Sequence, residues 1–185
     1  MNVIATAIPE VLIIEPKLAG DSRGFFTEIY QKDRYAAKGV VQDFVQDNLT
    51  RSALGVLRGL HFQNPKAQGK LVAVLQGRIL DVAVDVRVGS PTFGKHVKVE
   101  LDDDARQQLW VPPGFAHGFL VLSETADVYY KCSDFYSPAD EIVLRWDDSQ
   151  LSIEWGCASP IVSERDSKGR TLSQLRELLP LYERD

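Results

Sequence analysis

The sequence predicts an all-β protein, a sandwich or barrel with a few short helices. Three observations support this prediction. The middle of the chain alternates between apolar and polar side chains, most regularly over residues 79–87, and a period of two is typical of strands. Turn residues such as Gly89-Ser90-Pro91 separate these segments. Helix signals are few, and many short strands indicate two facing sheets, whose concave interior is where we expect a site.

The predicted elements follow in order along the chain. A short helix over residues 31–38 stops at Gly39, whose free backbone suits a left-handed cap. The predicted strands cover 71–75, 79–87, 97–101, 109–111, 119–122, 127–132 and 142–146. One face of the second strand carries Leu80, Val82, Val84 and Val86, and the other carries Asp81, Ala83, Asp85 and Arg87. Leucines at helical spacing before Pro180 predict a C-terminal helix; they are Leu172, Leu175 and Leu178.

Composition and charge limit the class of protein. A chain of 185 residues with 44% hydrophobic and 25% charged residues fits one globular domain over 1–185. The net charge of -5 argues against a broad nucleic-acid or anionic-membrane surface, because such partners need clustered cations. A phosphate-bearing small molecule remains compatible, since two or three local cations suffice to bind it.

The cellular location is predicted from absent signals and from the cysteines. The N-terminus lacks the pattern of a signal peptide. No apolar run approaches the roughly 20 residues of a membrane span. Cys132 and Cys157 show no metal or redox spacing, and we interpret them as reduced thiols. We therefore expect a cytoplasmic protein.

A first candidate cluster contains Arg58, His61 and Lys70. His61 is suited to proton transfer near neutral pH, although a histidine between apolar neighbours is more often a packed core residue. On a regular strand Arg58 and His61 would point to opposite faces. A bulge would bring them to the same wall, and Gly59 permits one.

A second cluster combines a rigid turn with a histidine. The spacing Pro112-x-Gly114-x-x-His117 resembles the second short motif of the cupin superfamily, which has a jelly-roll fold. Metal-dependent cupins take three ligands from their first motif, whereas the corresponding region here offers only His61. Two isolated histidines fall short of a mononuclear metal site, so we predict no metal.

A third cluster lies on the strand around Tyr130. Its alternation places Tyr130 with Val128 and Cys132 on one face, and Tyr129 with Lys131 on the other. An inward phenol can donate a proton, although an ordinary interior tyrosine with a bonded hydroxyl is the more common case.

Eight segments together resemble one enzyme family. In order they are GDSRGFF, FVQDN, VLRGLHFQ, QGKLV, DVAVDVR, SPTFG, QLWVPPGFAHGF and YKCSDFYSP. Spanning residues 8–166, they are similar to the dTDP-4-dehydrorhamnose 3,5-epimerases. The resemblance implies a cupin-like homodimer without cofactor. It also implies inversion of C3 and C5 of dTDP-4-dehydro-6-deoxy-glucose on the route to dTDP-L-rhamnose.

The resemblance also assigns catalytic roles. The C4 ketone acidifies the hydrogens on C3 and C5, so inversion needs a base and an acid on opposite sides of the ring. By resemblance His61 is the base and Tyr130 the acid. Asp166 is expected to pair with His61, with Asp81 as the alternative partner. Lys70 is expected to stabilise the enolate oxygen.

The substrate contacts implied by the resemblance are more widely spread. They are Arg23, Glu28, Gln46, Asp47, Asn48, Arg58, Lys70, His117 and Glu141, with Tyr136 stacking on thymine. Arg165 stands where the family is expected to have lysine, which changes the geometry of the contact but keeps its charge.

Three other functions remain open. They are a single-centre epimerase or 3,4-ketoisomerase of the same ketosugar, a non-catalytic cupin that binds nucleotide sugars, and a metal-dependent cupin enzyme.

Overall fold

The computed structural model describes residues 1–182 and confirms the predicted all-β fold. Within this range the chain forms thirteen strands, two short α-helices and one 3₁₀ turn. The strands are β1 Asn2–Ala5, β2 Leu12–Glu15, β3 Leu18–Asp21, β4 Gly24–Thr27, β5 Gln46–Ala53, β6 Leu57–Gln63, β7 Lys70–Gln76, β8 Arg78–Asp85, β9 His96–Asp102, β10 Gln108–Val111, β11 Phe115–Val121, β12 Thr125–Cys132 and β13 Glu141–Val143. The helices are α1 Lys32–Ala36 and α2 Glu164–Ser167, and the 3₁₀ turn is Arg176–Leu178.

Two antiparallel sheets form a cupin-like jelly roll. The six-stranded sheet has the order β1-β2-β10-β7-β12-β5, and the five-stranded sheet has the order β13-β6-β11-β8-β9. A separate hairpin is formed by β3 and β4. Apolar side chains of both large sheets, such as Val72 and Val128 from one and Ile79 and Phe119 from the other, pack into a shared interior cluster. Burial of this surface is the main force that holds the sheets together.

The five-stranded sheet is buried on both faces. The predicted alternation of β8 is confirmed, because Ile79 and Ala83 pack inside the roll while Val82 and Val84 pack in an outer cluster. The outer cluster is covered by the C-terminal segment. Asp81 shares the inner face and is fully buried, so this carboxylate needs a polar partner inside the roll.

The predicted helix over 31–38 is present as α1. The side chain of Gln31 accepts the N–H of Arg34 at its start. Gly39 follows with φ +97°, the left-handed conformation expected of a stop signal.

The prediction of a C-terminal helix is wrong, because the only helical element after Gly169 in the described chain is the 3₁₀ turn Arg176–Leu178. Leu172 and Leu175 are buried in the outer cluster, but Leu178 is exposed and Leu179 is buried in its place. The N–H of Leu172 also bonds Oδ2 of Asp148 at 2.7 Å. These tertiary contacts favour a chain of turns over a continuous helix.

The predicted bulge at Gly59 is confirmed. Along the β6–β11 ladder His117 pairs with His61 but Phe119 pairs with Arg58, so β6 has one more residue than β11 over this step. Gly59 has φ +114°, and a Cβ there would lie 2.7 Å from Cα of Gly118. This position therefore needs glycine both for its conformation and for close strand packing.

Within residues 1–182, no helix has the length and apolar character that crossing a membrane requires.

Candidate active site

A cavity of about 520 Å³ has walls from both large sheets and from α2. Nine of the predicted site residues line it: Arg58, His61, Lys70, His117, Tyr130, Tyr136, Glu141, Arg165 and Asp166. A larger groove of about 1570 Å³ lies around Arg87 and Tyr182 and is lined by none of the predicted site residues.

His61 and Asp166 form a close pair in the cavity wall. Nε2 of His61 lies 2.7 Å from Oδ1 of Asp166, and Oδ2 of Asp166 accepts the N–H of Gly59 at 3.3 Å. Burial alone would raise the pKa of Asp166, but the interactions with His61, together with hydrogen bonds from Gly59 and Ser163, outweigh burial and hold the pKa below its ordinary value. With an ionised partner the imidazole proton sits on Nε2. Nδ1 of His61 is thus left as the basic atom.

His117 and Asp81 form a second pair. Nε2 of His117 lies 2.6 Å from Oδ1 of Asp81, and both side chains are buried. Asp81 is therefore the partner of His117, and Asp166 is the partner of His61. Oδ2 of Asp81 is buried without a hydrogen-bond partner in the part of the chain that the structure describes.

Tyr130 stands on the opposite wall from His61. It projects from the inner face of β12 in the six-stranded sheet, whereas His61 belongs to β6 in the five-stranded sheet. Burial raises the pKa of the Tyr130 phenol, and nearby Cys132 acts in the same direction. The phenol is therefore protonated near neutral pH and can act as an acid.

Lys70 lies at the start of β7 beside these groups. Desolvation lowers the pKa of its ammonium below the ordinary value, and neighbouring Cys132, Glu141 and Asp81 only partly oppose this shift. A cation at this position can stabilise negative charge that develops inside the cavity.

Arg58 carries a second positive charge into the cavity. Its Nε donates to the hydroxyl of Ser52 at 2.9 Å. This bond orients the guanidinium without neutralising it. The remaining donors are suited to bind an anionic group in a forked geometry.

Three polar side chains surround the mouth of the cavity. The hydroxyl of Tyr136 donates to Oε2 of Glu141 at 2.7 Å, and the guanidinium of Arg165 also contacts Glu141. The Tyr136 ring is half exposed, so its face is available for stacking.

Comparisons with known proteins place these features in one family. The family model of dTDP-4-dehydrorhamnose 3,5-epimerase matches residues 5–174. The chain belongs to this epimerase family. A dTDP-4-dehydrorhamnose 3,5-epimerase of Shigella flexneri is 52% identical, over 92% of this chain and 95% of the relative.

Solved structures agree with this assignment. An epimerase from Legionella pneumophila, in complex with dTDP-4-keto-L-rhamnose, is 50% identical with a TM-score of 0.96 and 99% coverage of both chains. A 3'-monoepimerase from Streptomyces bikiniensis, in complex with dTDP-quinovose, is 33% identical with a TM-score of 0.89, over 96% of this chain and 92% of that one. The resemblance seen in the sequence, the cupin-like fold and the isomerase class are thereby confirmed.

Other residues expected to bind substrate in this epimerase family lie outside the cavity. Arg23 is on the β3–β4 hairpin, where its guanidinium bonds Asp21, and Glu28 bonds Arg34. Both pairs are exposed. Their expected contact with substrate stays a prediction.

The segment 46–48 is divided between the two faces of β5. Gln46 and Asn48 are partly buried and bond each other at 3.0 Å, whereas Asp47 faces outward and bonds Lys131 at 2.7 Å. The side chain of Asp47 therefore points away from the cavity. A contact of Asp47 with a ligand in this cavity would have to come from its main chain.

Two hydroxyl groups of the site had no role in the sequence interpretation. Ser52 supports Arg58, and Ser163 accepts the N–H of Asp166 at 3.0 Å as the N-cap of α2. The spacing of a serine three residues before an aspartate is a signal for such a cap. The four-residue helix α2 carries no apolar period that would have revealed it.

The described residues contain no cluster of side chains suited to bind a metal ion. Over residues 1–182, no group of three or more His, Cys, Asp or Glu side chains could hold a metal ion. The expectation of metal-free, cofactor-free catalysis stays a prediction.

Proposed function

We propose that this chain is a dTDP-4-dehydrorhamnose 3,5-epimerase that inverts C3 and C5 of dTDP-4-dehydro-6-deoxy-glucose and needs no metal or redox cofactor. The observation that carries the proposal is the placement of a base and an acid on opposite walls of one cavity. His61 supplies the base from the five-stranded sheet, and Tyr130 supplies the acid from the six-stranded sheet. A sugar ring between them can lose a proton from one face and gain one on the other.

The proposed reaction begins with removal of a proton next to the ketone. Nδ1 of His61 takes the proton, and the electron pair of the C–H bond forms an enolate with its charge on the C4 oxygen. Lys70 stabilises this oxygen, and Asp166 stabilises the imidazolium. The phenol of Tyr130 then protonates the carbon from the opposite face. Exchange with solvent resets both groups before the second centre reacts.

The nucleotide part of the substrate is proposed to occupy the cationic wall and the mouth of the cavity. Arg58 and His117 contact the diphosphate, and Tyr136 stacks on thymine beside Glu141 and Arg165. Two observations support this assignment: among the described residues the Arg58 guanidinium has no carboxylate partner, and the Tyr136 ring is half exposed.

We also propose that a second copy completes each site, so that the enzyme is a homodimer. The β3–β4 hairpin exposes two aromatic side chains, Phe25 and Phe26, and holds Arg23 away from the cavity of its own chain. Apolar side chains exposed in this way are typical of an interface. A symmetric dimer can deliver Arg23 and Glu28 to the partner's cavity.

Mixed dimers test this arrangement. His61→Asn and Arg23→Ala proteins, each nearly inactive alone, are unfolded together, refolded and assayed. If the site is shared, half of the refolded dimers are mixed and each has one intact site, so about a quarter of the wild-type activity returns. No recovery, together with a monomeric mass in sedimentation, would remove the proposal.

The remaining expectations concern domain and location. We propose one cupin-like epimerase domain over residues 1–185 that works in the cytoplasm. Free Cys132 and Cys157 support a reducing compartment.

The decisive experiment follows the substrate in deuterated buffer. The chelator-treated protein is incubated with dTDP-4-dehydro-6-deoxy-glucose, and C3 and C5 are followed by NMR. Deuterium at both carbons with inverted product is expected. Exchange at one carbon would indicate a single-centre epimerase, and a ketoisomerase would move the carbonyl instead. No exchange at either carbon would overturn the enzymatic proposal and favour a binding protein.

A further inference from the structure

The turn that carries Asp166 is anchored at both ends by main-chain hydrogen bonds. Before the turn, the N–H of Ile161 donates to Gly55 at 2.8 Å, and its carbonyl accepts from Leu57 at 2.9 Å. After the turn, Arg170 accepts from Arg145 at 2.8 Å and donates to Val143 at 3.1 Å. These bonds tie the segment to the sheet that holds His61. The turn itself is held by the bonds of Asp166 to Gly59 and His61 and by contacts inside it.

Ser163 makes such a contact. It has an extended backbone, with φ -68° and ψ 158°, and its Oγ accepts the N–H of Asp166 at 3.0 Å. The carbonyl of Ser163 accepts the N–H of Ser167 at 2.9 Å and closes the turn. The same hydroxyl also acts on the Asp166 carboxyl, as one of the smaller influences that lower its pKa. One side chain therefore caps the backbone of Asp166 and contributes to the low pKa of its carboxyl.

We propose that Ser163 is a positioning residue for proton abstraction: its hydroxyl holds the Asp166 carboxylate on Nε2 of His61. The inference rests on the proposed function, since it assigns His61 the role of base. It follows from the geometry because Asp166 reaches His61 from a single helical turn, Glu164–Ser167. A turn of this length is not stable by itself. Without its cap the carboxylate would leave the imidazole, and the wrong nitrogen could carry the proton.

The test replaces Ser163 in the full-length protein. Ser163→Ala is expected to lower kcat about tenfold, the rate equivalent of one lost capping hydrogen bond. The KM is expected to change little. The Kd for dTDP, measured by calorimetry, is expected to change less than about twofold, because Ser163 is not among the proposed nucleotide contacts. Ser163→Thr keeps a capping hydroxyl and is expected to restore kcat.

A second readout needs no substrate. In ¹⁵N-labelled protein, the Nε2–H resonance of His61 is assigned by its loss in His61→Asn. We expect this resonance to be sharp in the wild type and in Ser163→Thr, and broadened or shifted in Ser163→Ala. If the wild type lacked epimerase activity, the proposed function would fail while this readout still decided whether Ser163 holds the pair.

Thr171→Ala is the matched control. The Oγ1 of Thr171 accepts the N–H of Gln174 at 3.3 Å, a cap of the same spacing that lies outside the cavity lining. Its loss is expected to leave kcat and the His61 resonance unchanged. An unchanged kcat and resonance in Ser163→Ala would overturn the inference, as would an equal loss of kcat in Thr171→Ala. If Ser163→Ala does not fold, Ser163→Gly replaces it, because glycine is tolerated at a cap position at small cost.

Discussion

His61 and His117 lie directly opposite each other in the β6–β11 ladder, yet each imidazole is bonded to a different aspartate. Asp166 comes from α2 near the end of the chain, and Asp81 comes from the neighbouring strand β8. His61 remains a quarter exposed, whereas the His117 side chain is 7% exposed. The two pairs thus have similar chemistry but different access to a ligand, and the more accessible His61 is the better candidate for the proposed base.

Replacing the base is expected to abolish turnover without abolishing binding. His61→Asn keeps a polar side chain of similar size but has no basic nitrogen. We expect kcat to fall by about 10²- to 10⁴-fold, with the calorimetric Kd for dTDP nearly unchanged. Near-normal turnover would show that another group removes the proton.

Removing the phenolic hydroxyl separates exchange from inversion. Tyr130→Phe keeps the ring but cannot protonate the enolate from the opposite face. We expect solvent deuterium to enter the substrate through His61 with retained configuration, while inverted product is lost. NMR of the substrate pool distinguishes the two. Normal inversion at both carbons would place the acid elsewhere.

Arg58 forms no ion pair within residues 1–182, and this predicts a specific loss of dTDP affinity when its charge is removed. Arg58→Gln removes the proposed charge-assisted contact to the diphosphate, and we expect dTDP to bind roughly 10- to 100-fold more weakly. Arg51→Gln is the control, because Arg51 is on the outer face of β5, where it bonds Asp127 at 2.6 Å. Equal losses of dTDP affinity in both variants would indicate a long-range charge effect instead of a contact.

Because Gly59 packs closely against β11, we expect an alanine there to reduce stability by more than its backbone conformation alone would. Gly59→Ala places a methyl group 2.7 Å from the carbonyl oxygen of His117, whereas at Gly55, with φ +76°, no atom lies within 4 Å. Both alanine variants share an unfavourable positive φ, which costs about 1–2 kcal/mol. We expect the Tm of Gly59→Ala to fall further than that of Gly55→Ala, with loss of activity only in the former. Equal thermal shifts would contradict the packing argument.

Asp85 predicts a pH dependence of stability. Burial would raise its pKa, but hydrogen bonds from Arg87, Ser90 and Thr92 outweigh burial and hold the pKa below its ordinary value. A carboxylate with a depressed pKa stabilises the fold above about pH 4, and this contribution is lost as the pH falls through the folded-state pKa.

Denaturant unfolding between pH 7 and pH 2 measures this contribution. Asp85→Asn is expected to be less stable than the wild type at pH 7, with the difference shrinking below about pH 4. Asp147→Asn is the exposed control and is expected to change the curve little, because its partner Arg145 is also in solvent. A constant difference at all pH values would contradict the assignment.

Local patterns were sufficient to predict much of this molecule. The alternation in β8 and β12 gave the faces of Ala83 and Tyr130 correctly, because side-chain direction in a strand follows from position alone. The helix before Gly39 and the bulge at Gly59 were predicted from backbone conformations that glycine permits.

Features that depend on long-range contacts were not predictable. The partner of Asp81 depends on β8 lying next to β11, and strand order is not encoded in local periodicity. The C-terminal leucines pack on the outer cluster, and the shape of that surface determines which of them are buried. After Leu175 the buried leucine is Leu179 instead of Leu178, so the helical spacing does not continue. The hairpin with Arg23 lies away from the cavity, a placement that no pattern within the chain specifies.

The bulge in β6 has a consequence for judging distant relatives. Arg58 and His61 share a wall because one additional residue lies between them. A relative that lost one residue here could keep both side chains in an alignment and still turn its guanidinium to the outside of the roll. The length of the segment between this arginine and histidine is therefore a better indicator of the proposed diphosphate site than the presence of either residue.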